Sequence, residues 1–482
     1  MMQRQSSRYD DIINMIKEKQ IDAVQRSISI KSESISVIYI KELSDVAAIS
    51  EYILKPLVAQ KDEMTLTAAD ALSIICAYEC TLETDDKNII NHIINGKSVV
   101  LFSTNADYLV VDTKKIEKRD IPVPEFTYSM RGPRDSLIEN IESNLSLIRY
   151  RIKDEALKIN KMEVGKRTKT NIAVLYIEDV ANDTCVKEII KRISAINIDG
   201  LISSGELQAF LQNKQSDLFP VMGIIERSDM ACGALLEGKV VVIMDGSPWA
   251  LVAPKVFSEY LWSSDDVYLN KYLTMFLRVL RVLSLGLSFI VSSLYVAIVS
   301  FHNDVLPASY MIAIAQSRAK VPFDALMEVI LIELIGELIR ESLVRVPSKI
   351  GTAIGIVGAI IIGQAAVVAG VFSPLLLIVI SLNLIVSFIP ADYTIVDPFR
   401  VLKFLLIIAS GTFGFHGFTL VIVLVLSQLV SINTFGVPYM APAAPFHFKD
   451  FLKSIIYSKA NSPFRPHFLR DKDPTRAPRN KK

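Results

Sequence analysis

Charged residues interrupt an apolar helix pattern between Pro322 and Pro347. Proline suits both limits of a helix, because it lacks the N–H that a helix interior needs. At about 100° per residue, four charged side chains fall on one face, while leucines and isoleucines lie mostly on another. The four are Glu333, Glu337, Arg340 and Glu341. The sequence therefore predicts a charged amphipathic helix over residues 323–346 that cannot face lipid on all sides.

The chemistry open to these charges depends on where the helix lies. Each ionised group at the centre of a bilayer costs roughly 2.5–3.5 kcal/mol on insertion scales. The helix must therefore line water, pair its charges inside protein, or lie at the membrane interface. All three arrangements make the charged face a candidate functional element.

The next segment, from Ile350 to Ala391, contains no charged residue. Pro374 is expected to mark a hairpin between two spans of adequate length. Small residues recur every fourth position at its start: Gly351, Gly355, Ala359 and Gly363. Such a row lets a neighbouring backbone approach closely, either within one subunit or in a ring of identical helices around a pore. In the ring, Ile361 and Ile362 are candidate gate residues, and Gln364 faces water or a partner.

No motif of an enzyme stands out in the chain. Phosphate loops, dinucleotide fingerprints, nucleophile elbows and zinc-protease motifs are absent from the sequence, and its five histidines are scattered. Asp265 and Asp266 suit a helix cap better than a metal site. Cys76 and Cys80 lack further ligands and are interpreted as buried thiols. We therefore expect no enzymatic activity, no cofactor and no metal.

The elements that carry these residues divide the chain into two halves. The first mixes strands with helices, and the second is apolar. Strands are expected at Ile35–Ile40, Val99–Phe102, Tyr108–Val111, Ile172–Ile177 and Val240–Met244. A helix is expected from Ile138 to about Ile159 and another over Val186–Ile196. The predicted fold class is an α/β cytoplasmic N-terminal region, with two small α/β subdomains, followed by an all-α polytopic membrane domain.

The domain boundaries follow from composition. The charged residues thin out after about residue 275, and hydrophobic residues make up 51% of the 482-residue chain. The predicted parts are an N-terminal subdomain at 1–120, a linker at 121–134, a second subdomain at 135–270, a membrane domain at 275–432, and a basic tail at 433–482. The membrane domain has about four spans besides the charged helix.

Orientation follows from the basic residues. Arg278 and Arg281 precede the uncharged run Val282–Phe301, and Arg400 and Lys403 precede the last one, Phe404–Ser431. Between Lys449 and the end, ten Lys and Arg stand against three Asp, a difference of +7. Basic flanks favour the cytoplasmic side, and four spans rather than five keep the tail there. The N-terminus has no apolar core typical of a secretory signal.

Several ordered motifs resemble the A subunits of the GerA-type spore germination receptors. They are Arg131-Gly132-Pro133, the Asn144–Arg151 segment NLSLIRYR, Asp245-Gly246-Ser247-Pro248, SFHNDVLP from Ser300, VPF from Val321, the Glu333–Arg340 segment ELIGELIR, and IIGQAAV from Ile361. They lie between about residues 130 and 440, and the ordered set is far more specific than any single motif.

This resemblance implies a multi-pass protein of the spore inner membrane with a large cytoplasmic N-terminal region. It implies a permease-like B subunit and a lipoprotein C subunit as partners, and a homo-oligomer that forms a nutrient-gated ion channel. Contact with membrane lipid is expected, and binding of nucleic acid is not. An A-like subunit of the dipicolinate-release system is the alternative within the broad family. A secondary transporter and a membrane-anchored enzyme are alternatives of other classes.

Overall fold

The computed structural model divides the chain into two compact units. The first, here the sheet unit, comprises Met1–Gln215, Met222–Pro254 and Pro463–Lys482, and the second, the helical unit, comprises Ser216–Val221 and Lys255–Ser462. The structure describes residues 2–18, 22–30, 33–60, 67–77, 79–115, 124, 129, 131–212, 218–345, 363–456, 465–469, 472–473 and 475.

The sheet unit contains two five-stranded antiparallel sheets. The strands of the first are β1 Val24–Ile30, β2 Glu33–Tyr39, β3 Cys80–Glu83, β4 Ser98–Phe102 and β5 Tyr108–Val111. Those of the second are β6 Leu157–Val164, β7 Thr170–Ile177, β8 Gly223–Ile225, β9 Val240–Met244 and β10 Ala250–Ala253. The spatial orders are β1-β2-β4-β5-β3 and β6-β7-β9-β10-β8. The second sheet thus repeats the strand order of the first.

Helices complete the repeat. They are α1 Met2–Glu18, α2 Val46–Ala48, α3 Lys55–Ala59, α4 Ala68–Ile74, α5 Ile89–Ile94, α6 Ile141–Arg151, α7 Asp183–Ala195, α8 Ser204–Leu211 and α9 Ser228–Leu236. Each half runs in the same order: a helix, two strands, further helices, a strand, a helix and two strands. Each sheet has its own apolar core, because its β-branched residues face the helices of the same half.

Among the elements expected for this unit, the strands are confirmed and one helix is wrong, while β1, β3, β6, β8 and β10 were not expected. All five expected strands are confirmed, and β5 and β9 have the expected bounds. The helix expected to reach Ile159 is wrong: α6 ends at Arg151, and β6 follows as the edge strand of the second sheet. A few apolar residues after α6 continued the helical spacing by chance, whereas β6 alternates between buried and exposed residues near its end.

The described part of the helical unit contains six named helices. They are α10 Lys271–Phe301, α11 Ala308–Arg318, α12 Ala325–Arg345, α13 Pro374–Val386, α14 Val396–Ser431 and α15 Phe448–Ile456. Residues 363–368 are also helical. Within the described residues, two helices are long and apolar enough to cross a membrane, Lys271–Phe301 and Tyr393–Ser431, and Pro374–Val386 is a shorter apolar helix.

The second of these long helices is a hairpin. Gly414 interrupts α14 with φ 61° and ψ −139°, a conformation that suits glycine alone. A straight helix of this length would extend about 54 Å. Yet Phe219 contacts Phe399, near the start of α14, at 5.5 Å and Tyr439, beyond its end, at 6.4 Å between ring centroids. The sequence prediction of one span over Phe404–Ser431 is therefore wrong, and α14 has two legs, 396–413 and 415–431.

The hairpin defines two ends of the helical unit. The base is the end at Phe219 and Tyr439, and the tip is the end where Gly414 lies against Phe301 and His302. A Cβ atom at Gly414 would come within 2.8 Å of His302 Cε1. The helix α10 therefore runs from base to tip, and the first leg of α14 runs beside it in the same direction.

The boundaries between units differ from the expected ones. The chain enters the helical unit at Lys255 rather than near residue 270, because Tyr260 is buried in the aromatic cluster at the base. The expected tail is also divided, since Pro463–Lys482 belongs to the sheet unit. There Arg465 donates to the carbonyl oxygen of Leu236 at 3.3 Å, and Lys472 donates to Asp183 Oδ1 at 2.6 Å.

Candidate functional site

Glu333 on α12 lies at the centre of a buried polar cluster. Lys403 Nζ, from the first leg of α14, donates to Glu333 Oε2 at 2.6 Å. Ser292 Oγ, from α10, donates to Oε1 at 2.5 Å. Asn383 Nδ2, from α13, donates to Ser292 Oγ at 2.9 Å and to Glu333 Oε1 at 3.4 Å. The cluster therefore joins four helices through one carboxylate, and we call these four residues the four-helix junction.

A second layer of charges lies one helical turn nearer the base. Glu337 accepts from Arg400 Nε at 3.1 Å and from Arg340 Nη1 at 3.3 Å. Arg400 also donates to Asp397 at 2.7 Å, and Arg340 donates to Ser387 Oγ at 3.4 Å. Each cation thus has a carboxylate partner, as buried charges require.

A cavity of about 30 Å³ lies between the two layers. Its lining comprises Ser288, Glu333, Gly336, Glu337, Arg340, Ile380, Asn383, Leu384, Ser387, Val396, Phe399, Arg400 and Lys403. This volume is enough for one or two water molecules. Two buried atoms of the lining have no hydrogen-bond partner among the described residues: Asn383 Oδ1 accepts no hydrogen bond, and Arg340 Nε donates none.

The uncharged run of α10 indicates how deep the junction would lie in a membrane. The uncharged run of that helix extends over residues 282–301, and Ser292 is at its middle. At 1.5 Å per residue, Ser292 is about 15 Å from either end of the run, which is half the thickness of a hydrocarbon core. If α10 crosses a membrane, the Glu333–Lys403 pair lies near the bilayer centre.

A further carboxylate lies toward the tip. Glu328 is fully buried, accepts from the Ser373 backbone N–H at 2.6 Å, and accepts from Arg318 Nε at 3.2 Å. It thereby satisfies a donor at the start of α13. Since Ser373 lies beside Glu328 and Asn383 beside Glu333, α12 and α13 run in the same direction, from tip toward base.

Asp266 forms a separate buried cluster with the first turns of α10. Arg278 Nε donates to it at 3.1 Å, and Arg281 Nη1 donates to both of its oxygens at 2.9 Å. Ser263 and Asp266 also form a reciprocal cap of the short 3-10 helix Ser264–Val267. The cap expected from the sequence is present, but the two arginines are the larger part of the environment of Asp266.

Comparisons with known proteins address the family. The family model described as Bacillus/Clostridium GerA spore germination protein matches residues 11–467. The chain belongs to the GerA family. It is 35% identical to spore germination protein KA of Bacillus subtilis over 88% of this chain and 79% of that protein. It is 33% identical to spore germination protein GerLA of Bacillus cereus over 93% and 92%.

One solved structure is also similar to this GerA-family chain. It is the crystal structure of the N-terminal domain of the A subunit of the Bacillus megaterium spore germinant receptor GerK3. The match is 28% identical, covers 51% of this chain and 94% of that one, and has a TM-score of 0.40.

The charged face predicted for this GerA-family chain is only partly brought together. Glu333, Glu337 and Arg340 line the cavity, whereas Glu341 is exposed. Arg340 already contacts Ser387, just beyond the end of α13, so Glu341 lies past the helix that covers the charged face. Lys403 was expected to flank a span, but it is buried in the junction.

The predicted pore and packing residues lie mostly outside the described residues. These are Gly351, Gly355, Ala359, Ile361 and Ile362. Of the remainder, a Cβ atom at Gly363 would contact Leu377 Cδ2 of α13 at 3.7 Å, and Gln364 is exposed.

Sequence reasoning missed the partners of Glu333. Asn383 and Ser292 are uncharged polar residues in largely apolar helices, and their sequence pattern does not mark them as partners of a carboxylate. One signal was available. A glutamate inside an apolar helix needs a cation as a partner, and Lys403 is a cation directly before an uncharged apolar run.

The shared motifs of the sheet unit hold its second half together. Asp245 Oδ1 accepts from the Ile141 backbone N–H at 3.1 Å, at the start of α6. Arg151, at the end of the NLSLIRYR segment, donates to both oxygens of Asp135 at 2.7 and 2.6 Å. These contacts cap and orient α6, so a structural role accounts for the motifs.

The cysteines divide by burial. Cys76 is exposed and Cys80 is half-buried, so the interpretation of Cys76 as a buried thiol is wrong. Burial raises the pKa of Cys185 and of Cys232 to about 12, which keeps both thiols protonated at neutral pH.

Proposed function

We propose that this chain is the non-enzymatic A subunit of a nutrient-responsive spore germination receptor in the inner membrane of the spore. Membership of the GerA family and the printed names of its relatives support the germination role. The observation that supports a gating role is the four-helix junction, because ionisable residues inside an apolar helical unit are costly and mark functional sites.

We propose that the helical unit crosses the membrane six times. The crossings are α10, α12, the apolar segment from Ile350 to Phe372, α13 and the two legs of α14. The parallel course of α12 and α13 and the hairpin at Gly414 support this count. An even number of crossings leaves the tail beside the sheet unit, in agreement with the contacts of Arg465 and Lys472. Both then lie in the cytoplasm.

Cysteine accessibility tests this topology. The four native cysteines are first replaced by Ser or Ala, and an impermeant thiol reagent is added outside intact cells. A cysteine placed after Lys472 should stay unlabelled, and Asn303→Cys, next to the tip end of α10, should be labelled. His416→Cys separates the two forms of α14. It is near the tip in a hairpin and should be labelled, whereas it would be protected at the middle of one straight span.

We further propose that the chain forms a homo-oligomeric ion channel with a permease-like B subunit and a lipoprotein C subunit. The row of small residues from Gly351 supports close helix packing, and Ile361 and Ile362 supply a hydrophobic constriction. Ile361→Ala or Ile362→Ala should release cations without nutrient, and Gly355→Leu should block assembly. Ile378→Ala, at an exposed position of α13, is the matched control.

Two measurements decide this proposal. Protein abundance and cation release are recorded together in spores that carry each variant. Unaltered nutrient dependence of both alanine variants at normal abundance would remove the segment from the pore. Single-channel current from the chain purified with its partners tests the channel itself.

A further inference from the structure

The short helix α15 turns its apolar side outward. It follows the base of the helical unit, where Tyr439 is buried in the aromatic cluster. Phe448 is 62% exposed and Leu452 is 37% exposed, whereas Asp450 is only 9% exposed. A helix on a protein surface in water normally directs its charged residues outward and its apolar residues toward the core. Because α15 has the reverse orientation, its outer face fits an apolar surrounding.

Phenylalanine rings extend this outer face beyond the helix. Phe446, just before α15, is 63% exposed. Its ring centroid lies 6.3 Å from that of Phe448 and 5.6 Å from that of Phe451, which is half-buried. We call Phe446, Phe448, Phe451 and Leu452 the α15 patch. Helices that lie in the plane of a membrane interface carry such a face of phenylalanine and leucine.

The charges beside the α15 patch are basic. Lys449 is exposed, while Asp450, the one acidic residue of α15, is directed toward the protein. From Lys449 to the end of the chain, ten Lys and Arg stand against three Asp, a difference of +7. Anionic headgroups attract such a segment. A second copy of the chain would bring like charges together, so charge complementarity favours an anionic lipid surface as the occupant.

The length of α10 indicates that the base lies at a membrane interface. Its 31 residues extend about 46 Å, but the uncharged run 282–301 extends only about 30 Å, the thickness of a hydrocarbon core. If the run spans that core, the first 11 residues project about 16 Å into the headgroup region. Tyr272 and Phe276 are exposed on those turns, as is typical of a membrane–water interface. The helix α15 packs against α10 and follows from the same base.

We propose that α15 is an interfacial helix that binds the anionic headgroups of the leaflet at the base. The α15 patch enters the boundary between headgroups and acyl chains, and Lys449 lies at the level of the phosphates. The proposal rests on the proposed function only in placing α10 across a membrane. It goes beyond that function by assigning a lipid class to a named surface.

The test measures the depth of α15 in the full chain, reconstituted in nanodiscs of phosphatidylglycerol and phosphatidylcholine. The four native cysteines are replaced, and a fluorophore is attached at Phe448→Cys or, separately, at Lys449→Cys. Brominated acyl chains quench it from the lipid side, and acrylamide quenches it from the water side. The probe at position 448 should be quenched by brominated lipid and protected from acrylamide. The probe at position 449 should remain open to acrylamide.

The lipid charge is tested with the fluorophore at Leu452→Cys. Each basic residue near an anionic leaflet strengthens binding about fivefold. Lys449→Gln should therefore raise the ratio of detached to bound helix about fivefold in the mixed nanodiscs, with little effect in phosphatidylcholine alone. Lys191→Gln, at an exposed lysine of α7, is the matched control and should change neither. An effect of Lys449→Gln that is equal in the two lipids overturns the anionic specificity.

Two outcomes at position 448 overturn the interfacial helix. One is free quenching by acrylamide, and the other is protection from both quenchers, because protein would then cover the α15 patch. Ile378→Cys, at an exposed position of α13, separates these outcomes from a failure of the membrane topology. If brominated lipid quenches the probe at 378 and not the probe at 448, the crossing stands and the interfacial helix fails. If it quenches only the probe at 448, α15 binds the leaflet although α13 does not cross it.

Discussion

Asp266 and Glu333 are both almost completely buried carboxylates of the helical unit, and their surroundings differ. Asp266 is 1% exposed and binds two arginines, 12 and 15 residues further along the chain. Glu333 is 5% exposed and binds one lysine, 70 residues away. The three hydrogen-bonding partners of Glu333 come from three different helices, whereas the contacts of Asp266 come from α10 and the turn just before it.

This difference indicates two roles: one cluster fixes the start of a single helix, and the other connects four helices. Asp266 fixes the first turns of α10 to the preceding segment through two guanidinium groups. Glu333 connects four helices near the middle of α10, and its partner is a flexible lysine beside a small cavity. A movement of any one of those helices changes the environment of Glu333. We infer that the cluster at Asp266 maintains the fold and the junction at Glu333 can respond.

The largest expected effect is that of Asp266→Asn. The substitution keeps the shape of the side chain and leaves two buried guanidinium groups without an anion, and breaking a buried ion pair costs about 3–5 kcal/mol. Membrane abundance and the unfolding midpoint should both fall sharply. Asp265→Asn is the matched control, because the neighbouring aspartate is only half-buried. Equal losses in the two variants would mean that the arginine contacts do not stabilise α10.

Glu333→Gln should cost less, about 1–3 kcal/mol, although its pair is buried as deeply. The glutamine oxygen can still accept from Ser292, and one cation rather than two is left without its anion. Unfolding midpoints of Glu333→Gln and Asp266→Asn, measured side by side, test this order. If Glu333→Gln is the more damaging variant, the junction is the anchor and the comparison is reversed.

The two clusters also differ in how far the sequence predicts them. Asp266, Arg278 and Arg281 lie close together in the sequence. Even so, Asp266 was interpreted as a helix cap and the two arginines as the basic flank of a membrane span. The Glu333–Lys403 pair forms because α12 packs against α14, and no local sequence pattern predicts that packing. Five strands of the sheet unit were predicted because runs of β-branched residues favour an extended conformation.

The hairpin at Gly414 shows the same limit. Gly411, Gly414 and Gly417 read as a row of small residues inside one span, and nothing in their spacing marks Gly414 as the residue with positive φ. The repeat of strand order between the two sheets was also invisible in the sequence. Two sheets can share a strand order although their amino-acid sequences differ.

Gly414→Ala tests whether the hairpin is what brings Lys403 to Glu333. The new methyl group requires a positive φ and would lie 2.8 Å from His302 Cε1, so we expect a loss of about 1–3 kcal/mol. Gly286→Ala is the control, because a Cβ atom there meets nothing within 4 Å inside α10. That variant should be neutral or more stable by up to about 1 kcal/mol. A Gly414→Ala protein with the wild-type unfolding midpoint would contradict the hairpin.

The smallest expected effect concerns a half-buried pair of the sheet unit, Asp135 with Arg151. Burial pushes the pKa of the Asp135 carboxyl up, but hydrogen bonds from Arg151 and Ser228 outweigh it and hold the pKa below its ordinary 3.8. A carboxyl with a lowered folded-state pKa contributes stability above pH 3.8 and loses it as the pH falls through the folded-state value.

Asp135→Asn should therefore lower the stability by about 1 kcal/mol or less at pH 7, because solvent screens a partly exposed pair. The difference from wild type should shrink as the unfolding midpoint is measured toward pH 3, while Asp179→Asn, at an exposed carboxylate of the same unit, should be neutral throughout. A loss as large as that of Asp266→Asn would show that burial is not what separates the strong ion pairs of this chain from the weak ones.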